Sequence, residues 1–444
     1  MSESLSDKFA RLAALKPARK AAIAGVADPP RGLAPEIPVG SDRLAQLLGA
    51  FPHQNEFGEH LALRHWFSDS IGPEAPDGPL NQDALRLLAP DAPTIVADPR
   101  QWLFLDTETT GLAGGTGTYA FLVGIAWWDA GGLEVEQFFL REHSEEHSLL
   151  TALAERMAER RVLVTFNGKT FDWPLLDTRY RMTRSIRTPE PCAHLDFLHP
   201  ARNLWRLRLG SVRLAELERH VLGWNRGDDL LSEFIPQIYF DFLRGGSPDP
   251  LVPIFQHNQM DLRGLAGLAA RVVQVLSDPE RSASDAYELY GASRICERRG
   301  ESARARKLFQ STIEKGESAE FPEQAGRAAR RSLALLAKRD GDHSAAVEHW
   351  ERLVGGTREG LEAYEQLAIY HERHARQPEL AAEISRDALA ELRRSLRLGL
   401  IAPHVHSHAR TRFERRLARL ERKLSREIAR SETSLLKSLA GPRS

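Results

Sequence analysis

The stretch LFLDTETTGL, residues 103–112, joins an apolar run directly to two carboxylates, Asp106 and Glu108. The apolar run predicts a buried strand, and residues two apart in a strand project to the same face of a sheet. The two carboxylates can therefore bind one cation together. A solvent-facing strand end gives the same short pattern, so the stretch alone leaves two interpretations open. The rest of the chain has to decide between a polar strand end and half of a metal site.

Short apolar segments around this stretch predict a sheet. Three strands joined by glycine-rich hairpin turns come first, a helix with Ser144 as its N-cap follows at 144–161, and two more strands follow the helix. The strand segments are QWLFLDT, YAFLVGIAWW, LEVEQFFL, VLVTF and CAHLDFL. Three hairpin strands, a helix and a strand returning beside the first predict an α/β fold, with a mixed sheet of the ribonuclease-H kind flanked by helices.

Composition and periodicity divide the chain into four parts. A Pro- and Gly-rich extension, partly ordered, precedes the sheet domain, whose last third is helical. Within the extension, SDRLAQLLGAF predicts one short helix. An all-α repeat domain and a basic C-terminal helix follow. The predicted bounds are 1–95, 96–277, 283–395 and 396–444.

Two segments of the C-terminal half, 292–316 and 332–356, superpose as helix–turn–helix units, and 367–389 is a looser third copy. Gly300 and Gly341 fall in equivalent turns. Apolar positions also correspond, with Ala305 and Phe309 in one copy matching Ala346 and Trp350 in the other. Small residues at helix crossings and a repeat period slightly above 34 residues predict tetratricopeptide-like repeats.

Overall composition indicates a globular protein of 444 residues, with 42% hydrophobic and 27% charged residues. Its longest apolar window, 119–128, is too short to span a bilayer. The N-terminal residues lack the apolar core of a secretory signal. Cys192 and Cys296 are too few for a disulfide framework. We therefore expect a cytoplasmic protein that does not associate with a membrane.

The net charge of −1 conceals an asymmetry between the two halves. Residues 281–444 carry 32 Lys and Arg against 24 Asp and Glu, or +8, which leaves 28 against 37, or −9, for residues 1–280. In the tail, leucines on one helical face are expected to dock on the repeats while basic residues face solvent or phosphates. The basic residues are Arg412, Arg415, Arg416, Arg419, Arg422, Lys423 and Arg426. This balance fits nucleic-acid binding, and solvated helical faces explain it equally.

Two further segments bring acids toward the opening pair. VTFNGKTFDWPLL makes a turn at 167–169 after a buried strand and presents Asp172 where a helix begins, although a helix cap gives the same pattern. In QHNQMDLRGL, His257 and Asp261 are four apart and share one helical face, as an exposed helix pair also would.

If these four acids come together, they repel one another unless cations bind. Hard oxygen ligands suit Mg²⁺ or Mn²⁺. Two such ions roughly 3.5–4 Å apart can activate a water and stabilise the leaving oxygen during phosphodiester cleavage. Because histidine ordinarily titrates near neutrality, His257 is a candidate general base for that water.

The motifs FLDTETTGL, FNGKTFD and HNQMD resemble the three exonuclease motifs of the DEDD superfamily of 3′→5′ exonucleases, which have ribonuclease-H-like folds. The blocks GLAGGTGTYAFLVG, HLDFLHPARNLWR and SEFIPQIYFDFLRGG are similar to those of the YprB-type ribonuclease-H-like group. The resemblance covers about residues 96–277.

This resemblance implies a site with two Mg²⁺ or Mn²⁺ ions, with Asp196 nearby. The implied metal ligands are Asp106, Glu108, Asp172 and Asp261. Histidine-type members of the superfamily carry His five residues before the last Asp, and tyrosine-type members carry Tyr four before. His257 stands at the tyrosine spacing. A general-base role for His257 and a hydrogen-bonding role for it or Asn258 therefore both stay open.

Other polar and aromatic residues of this region are candidates for substrate contact. In the 167–169 turn, Asn167 and Lys169 are candidates, and Lys169 either neutralises a scissile phosphate or is a solvated turn lysine. Three tryptophans can stack bases or lie in the core, and we expect a core position for at least two of them. They are Trp173, Trp205 and Trp224.

The sequence thus predicts a cytoplasmic, divalent-metal-dependent nuclease, expected to be a 3′→5′ exonuclease on single-stranded RNA or DNA. Its helical repeats would capture substrate or dock a protein partner. A non-enzymatic scaffold carrying a nuclease-like platform is one alternative, against which the presence of all four acids argues. A structure-specific endonuclease is another. No motif reports the sugar of the substrate, since a 2′-OH contact depends on pocket geometry.

Overall fold

A computed structural model describes residues 41–111, 116–227, 232–317 and 323–439. Sequence predictions for 1–40, and for the GLAGG part of one family block, lie wholly or partly outside these residues. Seven strands form one mixed sheet in the order β1-β2-β5-β4-β3-β6-β7. The strands are β1 (Phe51–Asn55), β2 (Gly58–Phe67), β3 (Trp102–Thr109), β4 (Ala120–Asp129), β5 (Gly132–Phe139), β6 (Val162–Thr165) and β7 (Ala193–Asp196).

The predicted ribonuclease-H-like arrangement is confirmed. Strands β3, β4 and β5 are antiparallel neighbours, and β6 returns parallel beside β3, with β7 parallel beyond it. The helices of this part are α1 (Ser41–Leu48), α2 (Gln82–Leu88), α3 (Glu146–Glu159), α4 (Asp172–Thr183), α5 (Leu198–Leu209), α6 (Leu214–Leu217), α7 (Ile235–Leu243), α8 (Val252–Ser277) and α9 (Pro279–Ser282). The short helix expected in SDRLAQLLGAF is α1.

Two details of the sheet domain differ from the prediction. The β1–β2 hairpin pairs with β5, so the sheet begins well before residue 96. Strand β1, with the sequence FPHQN, is short, polar and mostly exposed, and such an edge strand carries no hydrophobic alternation. Helix α3 starts at Glu146, and Ser144 lies in a preceding 3₁₀ turn with its hydroxyl bonded to Glu142. Ser144 is therefore not the N-cap.

Three helical hairpins and a long helix form the C-terminal region. The hairpins are α10 (Ala286–Arg298) with α11 (Ser302–Glu317), α12 (Glu323–Arg339) with α13 (His343–Glu351), and α14 (Arg358–Arg373) with α15 (Pro378–Arg397), and α16 spans Pro403–Leu439. Gly300 and Gly341 occupy equivalent turns at φ of +81° and +80°. The four matched apolar residues of the first two hairpins are all buried. That these hairpins are tetratricopeptide-like stays a prediction.

The tail helix α16 packs by its leucines, as expected. Leu420 is fully buried against Ala381 and Ala382, with Leu417 and Leu424 alongside. Three of its basic residues are not free for phosphates, because they pair with Glu365 and Glu372 of α14. These are Arg412, Arg416 and Arg419. For these three, the prediction that the basic face meets only solvent or phosphates is wrong.

The sheet domain and the helical region share one continuous core rather than meeting across a linker. Trp205 Nε1 on α5 donates to Glu288 Oε1 on α10 at 2.7 Å, and Arg208 pairs with Asp285 at 2.5 Å. A Cβ added at Gly291 would lie 2.4 Å from the Cα of Leu204. The two helices touch backbone to backbone at this point, which only glycine permits.

We expect Gly291→Ala to lower the free energy of unfolding by about 1–3 kcal/mol, because the added methyl forces α5 and α10 apart. Gly326→Ala is the matched control, since nothing lies within 4 Å of its added Cβ. In α12 the control should stabilise the protein by up to ~1 kcal/mol through helix propensity. Urea denaturation of both variants measures whether each change lowers or raises the free energy of unfolding. Equal effects would contradict a close junction.

Candidate metal centre

Helix α8 crosses the end of the sheet where the two acids of β3 project. Its first turn contributes Ile254 and Phe255 to the core on one face of the sheet. From Leu262 onward the helix packs in the core on the other face. The segment between, 257–261, therefore passes the sheet at the level of Asp106 and Glu108. At this crossing Asn258 Nδ2 donates to the backbone carbonyl of Asp106 at 3.3 Å.

Asn258 fastens α8 to the sheet and holds Asp106. Its Nδ2 donates to Asp106 Oδ2 at 2.8 Å, and its Oδ1 accepts from Gln137 Nε2 at 2.7 Å. The residue facing it on β4 is Gly124, where a Cβ would lie 2.0 Å from Asn258 Oδ1. The amide is fully buried, and these bonds fix its orientation. Of the two roles left open for His257 and Asn258, Asn258 makes the hydrogen bond to Asp106.

The pKa of Asp106 is affected by burial and by the charges of the other three acids. Burial raises the pKa of Asp106 well above its usual range, and the charges of Asp261, Asp172 and Glu108 raise that pKa further. The hydrogen bond from Asn258 opposes this rise. The charges of the other three predicted acids therefore all act on Asp106 in the folded protein. Such mutual repulsion is what bound divalent cations would relieve.

Asp172 opens α4 and faces β3. Its Oδ1 accepts from the hydroxyl of Thr107 at 2.5 Å. Burial raises the pKa of Asp172 to about 6, against the lowering effect of the Thr107 bond, and the charge of Asp196 adds to the rise. A helix-cap role does not apply, because Phe171 is the N-cap and makes no side-chain cap bond.

Asp196 at the end of β7 organises the turn before Asp172. Its carboxylate accepts from the backbone N–H groups of Asn167, Lys169 and Leu198, at 2.8, 3.2 and 3.0 Å. Asn167 adopts a φ of +70°, so the turn reverses sharply. Asn167 and Lys169 thus contribute backbone donors that hold the turn before Asp172, and the Lys169 side chain is exposed.

Glu108, His257 and Asp261 each offer one potential ligand atom, and these three atoms all lie within 4.8 Å of one another. His257 Nε2 lies 3.5 Å from Asp261 Oδ2 and 4.0 Å from Glu108 Oε1. The imidazole is buried on the same helical face as Asp261, as the spacing indicated. Its place among the oxygens suits either a proton acceptor or a nitrogen ligand.

The tryptophans are divided between core and surface. Trp205 is fully buried and bonded to Glu288, which is a core role. Trp173 is half-buried beside the core, with its ring 6.4 Å from that of His194. Trp224 is half-buried, and the guanidinium of Arg263 lies 5.6 Å from its ring.

Arg226 and Glu218 belong to the site but carried no signal in the sequence. Arg226 donates to Asp261 Oδ1 at 2.5 Å and pairs with Glu218, whose side chain is completely buried. A Cβ at Gly264 on α8 would lie 1.7 Å from Glu218 Oε1, so that glycine makes room for the carboxylate. Since Arg226 follows the end of a π turn in an irregular segment, no periodicity pointed to it.

We expect Arg226→Met to lower the free energy of unfolding by about 3 kcal/mol, because Glu218 is left as a buried charge without its guanidinium. Arg244→Met is the matched control: its pair with Asp241 is exposed at 67% and 59%, so a change below ~1 kcal/mol is expected. Adding Glu218→Gln to Arg226→Met should recover part of the loss. A loss no larger than that of the control would contradict this role.

The four carboxylates fit divalent cations by their chemistry. They are hard oxygen donors, and burial together with the charges of Asp261, Asp172 and Glu108 raises the pKa of Asp106. Within the described residues, the carboxylates of Asp106 and Asp172 each accept one side-chain hydrogen bond, from Asn258 and Thr107 respectively. Asp106 Oδ1 accepts no side-chain hydrogen bond from the part of the chain that the structure describes and is available to an ion.

Comparison with known proteins agrees with this geometry. The RNase_H_2 family model, described as RNase_H superfamily, matches residues 103–273, from β3 through most of α8. The uncharacterized protein YprB of Bacillus subtilis (strain 168) is 30% identical over 326 residues, which cover 72% of this chain and 75% of YprB. The chain belongs to the YprB family. The YprB family resemblance inferred from the sequence blocks is thereby confirmed.

Among solved structures, the chain is similar to a family B DNA polymerase from the hyperthermophilic archaeon Pyrobaculum calidifontis. The identity is 13% and the TM-score is 0.33, and the match covers 57% of this chain and 29% of the polymerase. For this YprB-family chain, the superfamily domain supports a nuclease role. Within the residues that the structure describes, no helix is long and apolar enough to cross a bilayer.

Proposed function

We propose that this YprB-family protein is a divalent-metal-dependent 3′→5′ exonuclease acting on single-stranded RNA or DNA. Asp106, Glu108, Asp172 and Asp261 would hold two Mg²⁺ or Mn²⁺ ions. The observation that carries the proposal is that one helix brings Asp261 and His257 within 4.8 Å of Glu108, while the neighbouring Asn258 of that helix bonds Asp106. When bound, such ions supply charge neutralisation to the scissile phosphate and acidify a water.

The chain's own residues have separate tasks in this proposal. His257, between Glu108 and Asp261, accepts the proton of the attacking water. Asn258 and Thr107 orient the carboxylates of Asp106 and Asp172 by the hydrogen bonds described above. Their role is to hold oxygens in place before substrate arrives, which reduces the reorganisation that catalysis requires.

A time course on end-labelled single strands tests the activity. RNA and DNA carrying a 5′ label are incubated with Mg²⁺ or Mn²⁺, and the expected product is a ladder that shortens progressively from the 3′ end. A circular single strand should resist, because an exonuclease needs an end. Cutting of the circle would favour the endonuclease alternative, and no cleavage of any strand would favour the scaffold.

Metal binding can be measured without substrate. We expect Mn²⁺ at 100 times its dissociation constant to stabilise the folded protein by about 2.7 kcal/mol, since metal that binds only the folded state shifts the unfolding equilibrium. Thermal unfolding with and without Mn²⁺ gives this shift, and Asp106→Asn is the control that should lose it. An identical shift for wild type and variant would place the metal elsewhere.

The cysteines accord with the proposed cytoplasmic location. Cys192 and Cys296 are both free thiols, and Cys296 is buried. We therefore propose that the protein works in a reducing compartment that contains nucleic acid and free Mg²⁺.

We also propose that the basic tail captures substrate. Four arginines recur along one face of α16, are exposed, and form no ion pair within the described residues: Arg415, Arg422, Arg426 and Arg430. A protein partner on the tetratricopeptide-like hairpins is the alternative, because such repeats commonly hold peptides.

Replacing these four arginines by glutamine should flatten the dependence of log K on log[salt] by up to ~2.8, at about 0.7 per single-strand phosphate contact. The matched control is Arg412→Gln, which removes a cation already paired with Glu365. Because the helical region shares its core with the sheet domain, substitution is preferable to truncation. Equal slopes for the fourfold variant and wild type would leave the protein partner as the assignment.

A further inference from the structure

A cleft of about 490 Å³ lies at the junction between the sheet domain and the helical region. We call it the junction cleft. Its walls come from the loop after α2, from the end of β7 with the start of α5, and from the C-terminal turn of α10. This volume falls in the range of about 300–1,000 Å³ that small-molecule and cofactor sites occupy.

The junction cleft carries an excess of positive charge. Lys169 and Arg298 both line it and are exposed, and neither side chain forms an ion pair within the part of the chain that the structure describes. Asp196 is the acidic residue of its lining, and both of that carboxylate's oxygens accept backbone N–H groups. Two unpaired cations facing one cavity favour an anionic ligand.

The other walls of the junction cleft are partly apolar, and Arg299 fixes one of them by hydrogen bonds. Leu88, Pro90 and Ile295 supply apolar surface. Arg299 donates to the carbonyls of Leu87 and Leu88 at 2.7 Å each, so it fixes the loop after α2 against α10 rather than contacting a ligand. A ligand with both an apolar face and a negative charge fits this combination.

The junction cleft adjoins the carboxylate cluster. Asp196 lines the cleft, and its carboxylate accepts the backbone N–H groups of Asn167 and Lys169 in the turn before Asp172. The turn that holds Lys169 leads within three residues to Asp172 at the start of α4. The cleft therefore adjoins the turn that precedes Asp172.

We propose that the junction cleft binds one nucleotide of the single-stranded substrate, with its phosphate against Lys169 and Arg298 and its base against Leu88, Pro90 and Ile295. This inference rests on the proposed nuclease function and deepens it. It assigns a substrate contact to α10, so the helical region completes the binding surface of the sheet domain instead of acting apart from it.

The test is a scan of single-stranded oligonucleotides that each carry one uncharged methylphosphonate linkage. Binding of full-length protein is measured by fluorescence anisotropy in EDTA, so that no strand is cleaved. Moving the neutral linkage along the strand should lower wild-type affinity by about tenfold at one position, where the charged contact is lost. Arg298→Ala should bind the unmodified strand about tenfold more weakly and be insensitive to the neutral linkage at that position.

Two further variants control this scan. Arg298→Lys keeps the charge and should retain the positional effect, and Arg358→Ala removes an exposed arginine outside the cleft and should behave as wild type. The inference is overturned if Arg298→Ala binds like wild type, or if it keeps the same positional profile. It is also overturned if Arg298→Ala weakens a nucleoside monophosphate but not the strand, which would make the cleft a site for a free nucleotide.

Because binding is measured without metal, this test is independent of hydrolysis. Positional coupling at Arg298 with no cleavage in Mn²⁺ would contradict the proposed activity and support the cleft as a nucleic-acid site. Cleavage with no positional coupling at Arg298 would support the proposed activity and contradict the cleft as a nucleic-acid site.

Discussion

Asp106→Asn is expected to lower the rate of strand cleavage by about 10³-fold or more, since metal ions supply several kcal/mol of transition-state stabilisation and this change weakens their binding. The charges of Asp261, Asp172 and Glu108 all act on Asp106. Asparagine keeps the size of the side chain, removes its charge and replaces one carboxylate oxygen by an NH2 group. Initial rates on a 5′-labelled strand in Mn²⁺ measure the effect. Asp241→Asn, at an exposed position on α7, is the matched control and should cleave normally.

The same variant should be more stable than wild type when metal is absent. Because the folded pKa of Asp106 is raised above its unfolded value, the unfolded chain releases this proton first as pH rises. Wild type therefore loses stability as pH climbs above about 4, the unfolded pKa, and the asparagine variant is spared this loss. The difference in unfolding free energy should be larger at pH 7 than at pH 4 in EDTA. Near-native turnover, or a variant less stable at pH 7, would contradict the two-metal proposal.

Asp261→Asn is expected to separate the two effects. It should also abolish cleavage, but in EDTA it should be less stable than wild type. Asp261 forms an ion pair with Arg226. Losing this ion pair outweighs the relief of repulsion between Asp261 and the other acids. Both variants should be inactive, but their stabilities should change in opposite directions. That result would show that Asp106 is destabilised by the neighbouring acids and that Asp261 is stabilised by Arg226.

His257→Ala is expected to lower kcat by about 10²–10⁴, the usual contribution of a positioned general base. The acidic limb of the pH–rate profile should shift at the same time, because the proposed proton acceptor has been removed. His65→Ala is the matched control, since that imidazole is exposed on β2. A loss below tenfold with an unchanged profile would reduce His257 to a supporting role.

Excess Mn²⁺ distinguishes a base from a ligand at this position. If His257 donates a nitrogen to the metal, raising Mn²⁺ should restore much of the rate in His257→Ala, whereas a missing base cannot be replaced by more metal. The group formed by His257, Glu108 and Asp261 makes this comparison necessary. We expect no restoration.

The strands and helices that carry the candidate ligands could be predicted from sequence because their signals are local. The apolar run before Asp106, the turn before Asp172 and the four-residue spacing of His257 and Asp261 all follow from the periods of strand and helix. The equivalence of Gly300 and Gly341 was equally readable, since positive φ in a helix–turn–helix requires glycine in most cases. These features depend on neighbouring residues along the chain.

The sequence by itself thus determined which elements carry the four acids, the order of the central strands and the helical hairpins. Only the tertiary structure decided what surrounds them: the β1–β2 hairpin on the sheet edge, the meeting of Asn258 with Gly124, and the capture of Asp261 by Arg226. Each of these joins residues that are distant in sequence or lie in irregular segments, where no hydrophobic period exists. Their energies come from burial and charge pairing in three dimensions, which a linear pattern does not record.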